Sequence, residues 1–159
     1  MKKEIARLIG ELVATWREDA DDPDYEPALR PPASAEQIAG LEAHLGFSLP
    51  PSYRAFLELH NGMTNYQNTH LLLGTEDHHG EWVQTQMDFY RDVDQVEPFE
   101  AGAVPLIVGE ADDGIHNFWA FDPNDQNEHG ELAVVDWDYG CEEDRHPSFL
   151  ELLRDGVGE

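Results

Sequence analysis

At 159 residues the chain is long enough to bury a hydrophobic core without metal or disulfide staples. An apolar share of 40 %, with 4 Trp, 5 Tyr and 7 Phe, excludes a disordered chain, so the acidity must sit on the surface of a folded protein. The 34 acidic residues against 9 basic ones give a net charge of −25, which opposes nucleic acid and anionic lipid and suits a basic protein, although acidity also serves solubility or adaptation to high salt.

Ile5, Leu8, Ile9, Leu12, Val13 and Trp16 recur at helical spacing, which predicts an amphipathic helix over 2–17. Two lysines, Lys2 and Lys3, open it, but no continuous apolar region follows as in a signal peptide, and no run approaches the ~20 apolar residues of a membrane span. The expected location is the cytoplasm, with no membrane partner. Glu18 to Pro27 is an acidic, proline-broken connector without a period. Ser34 with Gln37 forms a capping-box pattern that opens a second helix, with Ile38, Leu41 and Leu45 inward and Gly46 as its stop. Pro50-Pro51 opens a third helix with Tyr53, Phe56 and Leu57 on one face, ending at His60-Asn61-Gly62.

The pattern then changes. Leu71-Leu72-Leu73-Gly74 reads as a short strand, and Val83, Met87, Tyr90 and Val93 as a helix. Strands are predicted over 104–109, 115–122 and 131–137, separated by turns at Glu110 to Gly114 and Asp122 to Asp125. With only short turns between them, these strands should be antiparallel. Ser148 and Glu151 form a second capping-box pattern and open a closing helix over 148–154. The expected class is α+β: N-terminal helices on a mainly antiparallel sheet, closed by a short C-terminal helix. One domain, 1–159, is expected, with helix and connector over 1–29 and the core over 30–155.

The stretch Pro32-Ala33-Ser34 through Leu45-Gly46-Phe47-Ser48-Leu49-Pro50-Pro51-Ser52-Tyr53, Phe56-Leu57 and His60-Asn61-Gly62 closely resembles the signature of the SUKH superfamily. That superfamily comprises bacterial immunity proteins and is related to a fungal regulator of cell-wall synthesis. Val104-Pro105-Leu106 to Phe121-Asp122-Pro123 is similar to its central hairpin. Val134 to Asp138 and Ser148 to Leu153 are similar to its last strand and closing helix. Two departures stand out: the hairpin turn here is Asp112-Asp113-Gly114, and Thr64 to Glu81 aligns with nothing in the family pattern. The resemblance implies an α+β fold and an antidote role, in which the protein neutralises a cognate polymorphic toxin, often a nuclease, by binding it. A regulatory scaffold of the fungal type is the first alternative, and a small hydrolase or metal-dependent enzyme the second.

No catalytic set supports an enzyme. Cys141 cannot form an internal disulfide, which favours a reducing compartment, and it lies among Glu142, Glu143 and Asp144, which disfavour its thiolate although His146 is near. Phosphate-cradling glycine loops, dinucleotide fingerprints and Gly-X-Ser-X-Gly are absent. Asp77-His78-His79 with Glu81 and His70 lacks metal-motif spacing, and the calcium-like start at Asp122, Asn124 and Asp125 has Asn127 and Ala133 where glycine and glutamate are needed. No cofactor, metal or catalytic residue is therefore expected. Trp119 and Trp137 should be core, whereas Trp82, after a polar loop, suits core or interface equally. The candidate partner-binding residues are Trp82, Asp112 and Asp113 in the hairpin turn, and Glu142, Glu143 and Asp144 before the last helix.

Overall fold

The computed structural model describes residues 1–92, 97–111 and 114–159. Val93 of the expected fourth helix and both Asp112 and Asp113 lie outside the described residues. The helices are α1 (Lys2–Asp19), α2 (Ala35–Leu45), α3 (Pro51–Leu59), α4 (Glu81–Asp92), α5 (Glu97–Glu100) and α6 (Phe149–Gly156). The strands are β1 (Ala28–Leu29), β2 (Met63–Tyr66), β3 (His70–Leu72), β4 (Val104–Val108), β5 (Asn117–Gln126), β6 (Leu132–Asp138) and β7 (Cys141–His146). All seven form one antiparallel sheet in sequence order, so β1 and β7 are its edges.

The two-residue period of the strands sorts their side chains between two cores. On β5, Trp119 and Phe121 face the helices α1, α2, α3 and α6, where they meet Ile5, Leu8, Tyr53, Phe56 and Phe149. Phe118 and Ala120 point the other way, onto Val83, Met87 and Tyr90 of α4. Val134 and Val135 of β6 divide in the same manner. Trp119 and Trp137 are both buried, one on each face.

Local chemistry sets the helix ends. At α2 the capping box is complete: the Gln37 N–H donates to Ser34 Oγ at 3.1 Å and the Ser34 N–H to Gln37 Oε1 at 2.9 Å. At α6 only half of the expected box forms. Ser148 Oγ accepts from the Glu151 N–H at 3.1 Å, while the Glu151 carboxylate takes Arg154 instead. The α3 N-terminus has no capping side chain of its own. The buried carboxylate of Glu131, far along the chain, accepts from the Ser52 N–H and hydroxyl at 2.8 Å each. A carboxylate belongs there, because free N–H groups and the helix dipole favour negative charge.

Two sequence expectations are corrected. Asp122 to Asp125 does not form a turn but continues β5 to Gln126, with a register shift between Asp122 and Gln126. Arg145 on β7 holds this stretch in place, at 3.1 Å from Asp122 Oδ2 and 2.7 Å from Asp125 Oδ2. The sequence predicts no strand after 131–137, yet Glu142, Glu143 and Asp144 lie on the edge strand β7. Strand pairing with β6 sets their direction, and the register shift between Asp136 and Trp137 leaves Glu143 as the extra residue of a bulge.

Candidate functional site

The His60-Asn61-Gly62 stop builds a knot of backbone. Asn61 Oδ1 accepts from the Thr75 N–H at 2.7 Å, and the Asn61 N–H donates to the Pro31 carbonyl at 2.7 Å. The His60 ring donates from Nδ1 to the Arg30 carbonyl at 3.0 Å. Asp77 Oδ2 accepts both the Gly74 N–H and the Arg30 guanidinium at 2.6 Å. The motif thus ties the end of α3 to the segment just after β1 and to the loop after β3. Asp77 is thereby committed to structure.

His78 is buried beside this knot. The Tyr53 hydroxyl gives its one proton to the Leu73 carbonyl at 2.6 Å, so His78 Nε2, 2.9 Å from the same oxygen, must be the donor. Burial, with His44 and His79 adding repulsion, holds the His78 pKa down to about 3. Because the folded value lies below the unfolded one, the unfolded chain takes up the proton first. This contribution to stability is complete above pH ~6.5 and is lost as the pH falls towards ~3. Between pH 7 and 5 the loss should be about 2 kcal/mol. Urea unfolding at both pH values, in the parent and in His78→Gln, checks this: a pH slope that survives the substitution assigns it to other groups.

The proposed partner residues are placed apart. Trp82, 38 % exposed, opens α4, and Phe89 two turns on along the same helix is exposed as well. Glu142, Glu143 and Asp144 are exposed on the β7 edge, where Cys141 is exposed too, opposite Asp138. Trp82 therefore belongs to the layer over the second core, and the acidic trio to the far edge of the sheet.

Sequence reasoning passed over a concavity of about 220 Å³ next to that trio. Trp16, Tyr66 and Trp119 form apolar walls, and Asp136, Asp144 and Asp155 supply carboxylates, with His146 among them. Burial raises the Asp136 carboxyl above its usual range, partly offset by the Asn117 amide, and the charges of Asp138, Asp144 and Glu143 add to the rise. One ligand atom from each of Asp144, His146 and Asp155 lies within 4.8 Å of the others, so of the described residues these could hold a metal ion. The signal was available only as scattered residues: six elements bring them together.

Among the described residues no helix is long and apolar enough to cross a membrane. A comparison with curated proteins finds no match. The model of the SMI1 / KNR4 family (SUKH-1) matches residues 32–155. That span begins at the proline before α2, takes in the Asn61 knot and the sheet from β2 onward, and ends within α6. The chain belongs to the SMI1 / KNR4 family (SUKH-1).

Proposed function

We propose that this is an immunity protein of the cytoplasm that neutralises a cognate basic toxin by stoichiometric binding and performs no chemistry on it. Membership of the family supports a binding role. The observation that carries the reading is the β7 edge, where Glu142, Glu143 and Asp144 stand exposed beside the carboxylates of the adjoining concavity. Arg145, the one arginine on a strand without lysine, is occupied with Asp122, Asp125 and Glu142, so it leaves the surface strongly negative. Clustered charge of this kind raises the rate of encounter with a cationic partner more than it slows departure.

The test uses a cognate toxin. Co-expression should restore growth, and the purified pair should form a one-to-one complex. Replacing Glu142 and Glu143 together by Gln should lower the association rate about tenfold at low salt and change dissociation little. Neutral replacement of Asp19, Asp21, Asp22 and Asp24 in the connector should do little, since at 0.15 M salt charges beyond ~8 Å are screened. Binding indifferent to salt, with every acidic cluster equally dispensable, would assign the acidity to solubility and the contact to Trp82 and its surroundings. Toxin turnover by the protein would remove the binding-only reading.

A further inference from the structure

We propose that the concavity beside β7 is a receptor for a single arginine side chain of the partner. This deepens the reading above and rests on it for the partner's class.

The first support is an uncompensated charge. Asp136 from β6, Asp144 from β7 and Asp155 from α6 converge on one hollow, and no lysine or arginine among the described residues pairs with any of them. The two nearest in sequence are committed elsewhere: Arg145 to Asp122, Asp125 and Glu142, and Arg154 to Glu4 and Glu151. Asp155 also stands in the last turn of α6, where the helix dipole disfavours a carboxylate. Three acidic groups are thus held together with only the His146 ring, its Nε2 3.4 Å from Asp144 Oδ2, as a basic neighbour.

The second support is independent of charge. Tyr66 is only 3 % exposed and lines the same hollow, and its hydroxyl has no hydrogen-bond partner among the described residues. A phenol this deep normally finds a partner, and the Tyr66 oxygen, which is not among the fully enclosed unpaired polar atoms, stays open to what enters the hollow. Its ring meets Trp16 edge-on at 4.8 Å and Trp119 at 6.4 Å, so the walls around it are aromatic.

Together these features describe a flat organic cation. Aromatic rings attract a cation at their faces, and a guanidinium stacks on them while its fork donates to carboxylates. The Tyr66 oxygen would accept a further N–H. A bare divalent ion could use Asp144, His146 and Asp155, whose ligand atoms are close enough, but it would leave the Trp16 and Trp119 walls and the Tyr66 hydroxyl unused. An ammonium is a point charge that cannot fork between two carboxylates.

The experiment is a titration of the whole chain with N-acetyl-arginine methylamide at low salt, followed by tryptophan fluorescence and by the backbone amide signals of Tyr66, Asp144 and Asp155. The lysine and citrulline analogues and zinc chloride are run beside it. The arginine amide should saturate in the millimolar range, and the uncharged citrulline amide should bind at least about tenfold more weakly. Asp144→Asn and Asp155→Asn, both at exposed positions, should each weaken the response several-fold while the melting curve stays that of the parent. An equal response to citrulline, or one that survives both substitutions, overturns the proposal. Lysine binding as well as arginine overturns the guanidinium assignment, and tight zinc binding without an arginine response makes the hollow a metal site. No toxin is present in this assay. Failure here therefore leaves growth protection standing, and loss of protection with arginine still bound sinks the proposed function alone.

Discussion

Phe56→Ala should destabilise the fold by about 3–5 kcal/mol, a drop of roughly 10 °C or more in melting temperature for a chain of this size. Phe56 sits on the inward face of α3 and is fully buried. Its ring lies 5.7 Å from Phe149 of α6 and 6.4 Å from Tyr53, centroid to centroid, so it joins the helix layer to the closing helix. Truncation removes the ring's transfer free energy and leaves a hole that the close-packed surroundings cannot easily fill. Urea and thermal unfolding measure the effect. A variant that melts like the parent but no longer binds the toxin would make Phe56 a contact residue and the core assignment wrong.

Gly74→Ala should cost about 3 kcal/mol or more, at or beyond the top of the usual range for overpacking. A Cβ at Gly74 would intrude on the Asn61 carbonyl oxygen and lie 2.7 Å from its Oδ1 and 2.8 Å from its carbonyl carbon. Two of those atoms are backbone, so no flexible side-chain end can swing aside. Relief requires moving the Asn61 turn, which breaks its bond to the Thr75 N–H or the hold of Asp77 on the Gly74 N–H. Gly10→Ala is the control. That glycine lies within α1 with open space where a Cβ would go, and the change should stabilise by about 1 kcal/mol. Two opposite shifts from one kind of substitution would show that space, more than backbone entropy, decides at Gly74. Equal and small effects would mean that the knot is softer than its geometry implies.

The helices were legible because their signals are local. The 3.6-residue stripe from Ile5 to Trp16, the Ser34–Gln37 box and the Pro50-Pro51 entry each lie within one element, and α1, α2 and α3 follow them closely. The strands β4, β5 and β6 were legible because both of their faces are buried, which makes their residues apolar and β-branched or aromatic. The other strands were not. β1 has two residues, and β2 is Met-Thr-Asn-Tyr with Asn65 in a left-handed conformation. β7, Cys-Glu-Glu-Asp-Arg-His, faces water along most of its length, so nothing in its composition separates it from a loop. Pairing to β6 makes it a strand, and pairing is a tertiary fact. The hollow beside it was hidden for the same reason: Trp16, Tyr66, Asp136 and Asp155 stand on four elements that only the folded sheet assembles. Trp82 was legible as exposed or buried with equal weight, because one aromatic after a polar loop carries no period.

The sheet is an open one, and an open sheet ends in strands whose outward N–H and C=O groups can pair with another molecule of the same kind. At one end β1 offers only two residues, too little to template a ladder. At the other, β7 is long enough, but a second copy approaching it would bring Glu142, Glu143 and Asp144 against their own duplicates, and the bulge at Glu143 breaks the flat register such growth requires. The carboxylates of β7 thus turn away kin, keeping a molecule with an unfinished sheet from extending itself into a fibre.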